Sequence, residues 1–175
     1  IGVLEHGDKK RRFAVSSGFG FDAGVCHQLI VSKFKQALNK LHLGKLCYVA
    51  VALQQLAMQK PGPVTLILDD EEVLHFEKVY FAAAMNQKYE GGGFKFCPKA
   101  DPSDDKLDII VASDISKLKV LCILPTAYKG WHVHAKGIHT YQCKKAVLES
   151  GVALPIHTDG EPILTEKSVE LSLEP

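Results

Sequence analysis

The chain has 175 residues, 46% of them hydrophobic and 23% charged, a balance that lets one domain bury a core and excludes whole-chain disorder, collagen and repeat arrays. Twenty-one Lys and Arg against 20 Asp and Glu leave a net charge of +1, so the summed charge gives no long-range field toward nucleic acid or an anionic membrane. The five cysteines, Cys26, Cys47, Cys97, Cys122 and Cys143, include no Cys-x-x-Cys pair, so reduced thiols of a cytoplasmic protein are expected rather than a disulfide framework or a zinc ribbon. The longest apolar run, 46–53, falls well short of the ~20 residues that cross a bilayer. Lys9, Lys10, Arg11 and Arg12 follow the first apolar residues, the reverse of a secretory leader, and an Ile at position 1 points to a fragment or a processed chain.

Residues 13–17 read as a short strand that meets a turn at Gly18 and Gly20. Asp22 is placed to cap a helix to about residue 32, with Val25, Leu29 and Ile30 on one face. Leu46, Val49, Ala50, Leu53, Leu56 and Ala57 follow helical spacing across 45–59, and Pro61-Gly62 stops the pattern. The period then changes to two: a strand over 64–68, an acidic turn at 69–72 and a return through 73–85 predict a hairpin. A strand follows over 107–112, then an amphipathic helix over 114–127 with Ile115, Leu118, Leu121 and Cys122 inward, then a long strand over 138–149. The span 152–157 and the alternating Val169, Leu171 and Leu173 complete the set. Six or more strands, two or three helices and no strand-helix rhythm predict one α+β domain over residues 1–175, built on antiparallel sheets.

Three clusters join glycine with acid. Gly18-Phe19-Gly20-Phe21-Asp22-Ala23 permits close backbone approach at a strand-to-helix turn whose amides suit an anion, although a turn with a helix cap is the plainer account. Gly91-Gly92-Gly93 leads to a loop with Asp101, Asp104, Asp105 and Asp108 around Pro102. Its carboxylates and carbonyls suit a hard cation such as Mg²⁺ or Ca²⁺, but the spacing is not that of an EF-hand and a solvated acidic loop accounts for it as well. Thr158-Asp159-Gly160-Glu161 sets two carboxylates two residues apart, which favours general-base work by one of them, while Asp-Gly is also a leading hairpin signal. His132, His134 and His139 lack a cysteine to complete a tetrahedral site, so packed or solvated histidines are expected. No Gly-x-Ser-x-Gly elbow supports Ser16 or Ser17 as a nucleophile.

The order of these segments is more specific than any one of them. Residues 13–23, then Gly91-Gly92-Gly93 with Pro98, Ala100, Asp104 and Leu107-Asp108, then Gly130 and His132, then Asp159-Gly160-Glu161, resemble the C-terminal domain of the bacterial diacylglycerol kinase family of soluble lipid kinases, which includes sphingosine kinases. The resemblance covers about residues 10–173. It implies a β-sandwich-like domain that pairs with an N-terminal nucleotide-binding domain carrying a Gly-Gly-Asp-Gly-Thr phosphate loop, with the catalytic cleft between them. That motif does not occur in these 175 residues, so the chain is expected to be the second half of an ATP-dependent lipid kinase, inactive by itself.

By the same resemblance, Glu161 is the general base for a lipid hydroxyl, such as that of diacylglycerol, attacking the γ-phosphorus of ATP. Asp159 organises magnesium and water beside it, with Gly160 at the cofactor side of the turn. Asp104 binds a structural Mg²⁺ together with the backbone carbonyls of Asp101 and Lys106. Asp105 stands where many family members have glycine, and Lys106 where an apolar residue is usual. The implied partners are a lipid alcohol and ATP, with Mg²⁺ as cofactor, peripheral contact at the inner membrane face, a homodimer and no nucleic acid. Phe19, Phe21, Tyr48 and Leu53 are candidates to line a crevice for the lipid chains, with core packing as their alternative role. A competing reading is a non-catalytic lipid- or protein-binding module that retains the scaffold. The related NAD kinase group gives no reason for the triple glycine and the Asp-Gly-Glu turn in this order.

Overall fold

The computed structural model of the protein describes residues 1–21, 23–26, 54, 56–58, 60–90 and 93–174. These contain the strands β1 (Gly2–His6), β2 (Lys9–Phe13), β3 (Ser16–Gly20), β4 (Gly62–Leu68), β5 (Glu72–Met85), β6 (Leu107–Ser113), β7 (Ile138–Cys143), β8 (Lys145–Thr158) and β9 (Glu161–Leu173). One α-helix, α1 (Lys117–Ile123), is followed by two 3₁₀ turns, η1 (Leu124–Lys129) and η2 (Trp131–His134).

Every pairing is antiparallel, in the order β2-β1-β9-β8-β3-β5-β6-β7, with β4 also lying between β5 and β8. β3 and β4 share one slot. β4 pairs with the first part of β5 and of β8, and β3 pairs with the last part of each. The join falls where both long strands slip register, between Val79 and Phe81 and between Glu149 and Leu154, and such bulges add twist. At about 4.8 Å per strand, β2 and β7 of a flat sheet would stand about 34 Å apart. Phe13 of β2 and Cys143 of β7 nevertheless belong to one buried cluster with Phe19, Leu66, Ile109, Leu148 and Leu171. The sheet therefore folds over on itself and closes a sandwich-like core between its halves.

β6 is buried along its whole length. Leu107, Ile109 and Val111 face the main core, while Ile110 faces a second cluster with Ala83, Met85, Cys97 and Ala100. A third cluster holds Val25 and Leu56 of the helical residues against Tyr80 of β5 and Ile115. The α+β architecture of mostly antiparallel strands is thus the expected one. Cys97, Cys122 and Cys143 are in no disulfide. Burial pushes the Cys97 thiol up and the Cys143 thiol up to about 12, which makes both poor nucleophiles.

Several elements differ from the sequence pattern. The strand expected over 13–17 is split by a corner at 14–15, so that Gly18 and Gly20 lie inside β3 rather than in a turn. The strand expected over 138–149 breaks at Lys144, where Asp69 Oδ1 accepts from the backbone N–H groups of Lys144 and Lys145 at 2.8 and 2.9 Å. β1 and β2 were not anticipated, because four consecutive cations hide the period of two. The helix expected over 114–127 is α1 plus η1, capped by the Ser116 hydroxyl, which accepts from Lys119 N–H at 3.2 Å. Its inward residues are Val120 and Ile123, whereas Leu118, Leu121 and Cys122 point outward. Apolar residues surround this helix, so spacing alone selects no face. Asp22 as a cap, and most of the helix expected over 45–59, lie outside the described residues; 54 and 56–58 are helical.

Gly20 ends β3 with φ +106°, and a Cβ there would stand 2.8 Å from the Tyr80 carbonyl oxygen. Gly7 has φ +53° with open space around it. In equilibrium urea unfolding, Gly20→Ala is expected to lose about 2 kcal/mol or more, and Gly7→Ala about 1 kcal/mol. Equal losses would show that the close approach at Tyr80 is no constraint.

Candidate functional site

Asp159 and Gly160 are the two-residue tip of the β8–β9 hairpin, with φ of 50° and 79°, the left-handed pair of a type I′ turn. The Asp159 carboxylate, on an exposed residue, is bonded to the backbone of the β2–β3 corner. Its Oδ2 accepts from Ala14 N–H at 2.7 Å, and its Oδ1 accepts from Val15 and Ser16 N–H at 2.8 and 2.9 Å. The Asp159 N–H donates back to the Ser16 carbonyl at 2.8 Å. Charge-assisted bonds of this kind are about twice as strong as neutral ones, so the corner is built around one side chain. Glu161 follows as the first residue of β9, opposite Thr158. Its side chain is 74% exposed, with Arg11 Nη2 3.4 Å from Oε2. A long, solvated pair of this sort holds little energy, so the carboxylate is open to an incoming group.

Beneath the turn lies a buried polar floor. His157 is fully buried, and its Nδ1 accepts from Gly160 N–H at 3.1 Å. That bond assigns the proton of the neutral ring to Nε2, which faces Glu90 Oε1 at 3.4 Å. The Ser16 hydroxyl donates to the same Glu90 oxygen at 2.6 Å, and the Ser17 hydroxyl donates to the His157 carbonyl at 2.9 Å. Asn86 donates from its side-chain amide to the Ala14 carbonyl at 3.1 Å and from its backbone to the Val15 carbonyl at 2.8 Å. Sequence reasoning missed Glu90, Asn86 and His157, since strand register rather than any local pattern brings them together. The signal that could have found them is the pair of strand ends that bracket the glycine-rich segments.

Register places the remaining candidates at the same end of the sheet. The start of β3 pairs with the end of β5 at Ser16 and Met85, and Met85 pairs with Asp108 at the start of β6. The loop before β6 therefore opens at the same end, with β3 and β5 between β6 and the strand β8 that leads into the Asp159 turn. In that loop Asp101 Oδ1 accepts from the Ser103 hydroxyl at 2.6 Å and its N–H at 3.0 Å, which holds the Asp101 carboxyl below its usual range. Asp104 Oδ1 accepts from Lys106 N–H at 3.0 Å, and the Asp101 carbonyl accepts from Asp104 N–H at 3.2 Å. Asp105 takes φ 55°, the left-handed conformation that glycine provides without strain and Asp tolerates. Asp101, Asp104 and Lys106 are exposed. The donors are all oxygen and suit Mg²⁺. Among the described residues no three His, Cys, Asp or Glu side chains converge, so an ion here would rely on carbonyls and water beside one or two carboxylates. Asp108 is buried behind the loop, and burial pushes its carboxyl up.

The other candidates are structural. His132 is buried, with Nε2 donating to the Phe96 carbonyl at 3.0 Å, and His139 packs on Phe76. Phe19 lies in the main core and Phe21 in the third cluster, so of their two expected roles both take core packing; Tyr48 and Leu53 lie outside the described residues, as do Gly91 and Gly92. A groove of about 620 Å³ on β1, β2 and β9 is lined by Glu5, Lys10, Arg11, Arg12, Ser172 and Glu174 among others, too charged for acyl chains. No described helix is long and apolar enough to cross a membrane.

The model of the YegS C-terminal NAD kinase beta sandwich-like domain matches residues 17–175. The chain belongs to this family, the C-terminal domain of the diacylglycerol kinase-like lipid kinases. It is 33% identical over 147 residues to a Mycobacterium tuberculosis protein named diacylglycerol kinase, covering 84% of this chain and 47% of that one. It is 29% identical over 144 residues to the Bacillus subtilis protein named "Putative lipid kinase YtlR", covering 82% and 46%. A crystal structure of a "putative diacylglycerol kinase" from Bacillus anthracis str. Sterne shares the fold, with a TM-score of 0.61 at 19% identity over 98% of this chain and 53% of that one. The chain spans about half the length of the curated relatives it matches.

Asp159→Asn replaces one carboxylate oxygen by an NH₂ that faces backbone donors. It is expected to cost about 2 kcal/mol or more in urea unfolding, whereas Glu161→Gln stays within about 0.5 kcal/mol. A small loss for both would show that the corner does not depend on Asp159.

Proposed function

We propose that this chain supplies the catalytic base of an ATP-dependent lipid kinase. The observation that carries the reading is the division of labour at the β8–β9 tip: Asp159 is consumed by three amides, and Glu161 is held two residues away with its carboxylate open to solvent. In the proposed reaction Glu161 takes the proton of a lipid alcohol as the alcohol oxygen attacks the γ-phosphorus of ATP, the bond to the β-phosphate oxygen breaks, and ADP leaves. Phosphoryl transfer depends chiefly on positioning and charge neutralisation, so a carboxylate on a fixed tip suits it. Diacylglycerol is the substrate suggested by the name of the Mycobacterium tuberculosis relative, and a lipid alcohol by that of the Bacillus subtilis one.

In this reading Asp159 acts through the shape of the turn rather than as a magnesium ligand, and Gly160 supplies the left-handed step that aims Glu161. Asp104, with the carbonyls of Asp101 and Lys106, is the proposed holder of a structural Mg²⁺, which when bound would fix the loop ahead of β6 by neutralising its acids. Support comes from the oxygen-only donor set and from the left-handed Asp105.

In the full-length gene product, assayed with radiolabelled ATP against a panel of lipid alcohols, Glu161→Gln is expected to lower kcat roughly a hundredfold or more with the fold retained. Near-normal turnover would refute the base, and absence of transfer to every lipid by the wild type would favour a binding module. For the loop, Mg²⁺ is expected to raise the melting temperature of the wild type by about 3 °C for each 1 kcal/mol of binding, and to leave Asp104→Ala unmoved. A wild-type curve that a chelator does not shift would remove the ion.

A further inference from the structure

Four exposed large apolar side chains sit on one continuous helical segment: Leu118 at 71%, Leu121 at 36%, Tyr128 at 52% and Trp131 at 62%. α1 runs directly into η1, and η1 into η2 through Gly130 in the left-handed conformation. The inner side of the segment is fully engaged by Val120 and Ile123 in the third cluster, by buried Ala127, and by His132 against Phe96. The exposed set is therefore the outer side of an anchored element.

The charge on this segment is one-sided. No Asp or Glu occurs from residue 115 to 148. Lys117 and Lys119 donate to backbone carbonyls, of Ala57 at 2.6 Å and of Lys136 at 2.8 Å, and the Lys129 ammonium lies 4.7 Å from the centre of the Trp131 ring. None of these contacts cancels charge. On β2, by contrast, Lys10, Arg11 and Arg12 are paired with Glu5, Glu161 and Glu174. The net charge of +1 thus conceals a cationic face on which, among the described residues, no carboxylate pairs with these lysines and aromatic and aliphatic side chains stand beside them.

We propose that α1, η1 and η2 form the face by which this protein docks on an anionic lipid bilayer. Trp131 and Tyr128 sit at headgroup level, Leu118 and Leu121 enter the acyl boundary, and Lys117, Lys119, Lys129 and Lys136 face the lipid phosphates. The face is continuous with the candidate site: Phe94 stacks on Tyr128 at 4.3 Å and pairs by two backbone bonds with Glu90, which bonds Ser16 in the corner around Asp159. For its purpose the proposal rests on the lipid-kinase reading, but docking and phosphate transfer are separate measurements.

Trp131 is the single tryptophan, so its emission reports the face directly. With vesicles of phosphatidylglycerol and phosphatidylcholine, the full 175-residue chain is expected to co-sediment, shift its emission to shorter wavelength and resist acrylamide quenching. Vesicles of phosphatidylcholine alone should give little of this, and added salt should weaken binding. Leu118→Ser with Leu121→Ser, both at exposed positions, should weaken binding roughly tenfold or more, and Lys117→Gln or Lys129→Gln about fivefold each. Binding that survives the leucine pair, no response to anionic vesicles, or a blue shift that depends on protein concentration without lipid and so marks a second copy on the face would each overturn the proposal. Docking without phosphate transfer in the full-length product would sink the kinase reading alone.

Discussion

The carboxylate of Asp159 is the hinge of this end of the molecule. Three amides of residues 14–16 converge on it, and the Asp159 N–H returns a bond to Ser16. Those residues connect β2 to β3, which lie at the edge and in the middle of the sheet order. A chain crossing from an edge strand to a central one leaves backbone donors without ladder partners at the crossing, and charge-assisted bonds to a carboxylate can fix their positions even at an exposed corner. One ionised side chain satisfies three of them. The same side chain belongs to the hairpin tip that carries Glu161, so closure of the sandwich and presentation of the candidate base are one event.

The shared slot between β5 and β8 explains why distant segments meet. Because β3 and β4 fill it end to end, both long strands can run the length of the sandwich and finish at the same end. β5 delivers Asn86 and Glu90 there, β8 delivers His157, and β6 begins there after the acidic loop. The glycine-rich and acid-rich motifs are thus neighbours by register, though they are far apart along the chain.

What the sequence revealed follows the strength of local signals. The β4–β5 hairpin was legible because a clean period of two flanks an acidic turn, and Asp69 and Asp70 do take left-handed conformations there. The Asp-Gly tip was legible as a hairpin for the same reason. β1 and β2 were not, since the run from Lys9 to Arg12 puts charge on positions that an edge strand leaves exposed. The inward face of α1 was misread because its apolar residues surround the axis. In the site, Glu161 and Asp159 were visible as a pair and the resemblance gave them different duties, but the tie of Asp159 to residues 14–16 was not legible, for those hydrogen bonds carry no trace in a local pattern. The Glu90, Asn86 and His157 floor depends wholly on strand register.

Two carboxylates of similar chemistry stand two residues apart on exposed residues, one bonded to three backbone amides and the other facing only a long ion pair, and that difference bears on function. A group that must accept a proton from an incoming alcohol has to keep a lone pair uncommitted and reachable. Asp159 is exposed as well but has less of that freedom, because both of its oxygens already accept bonds from the corner. Glu161 has more of it, and the rigidity it lacks in its side chain is supplied by the backbone, through the type I′ tip and the Gly160–His157 bond. Exchanging the two residues would put the longer, more flexible side chain against the corner amides and the short one at the rim, losing the fit of the first and the reach of the second. The order Asp-Gly-Glu, rather than acidity alone, is therefore what the geometry requires.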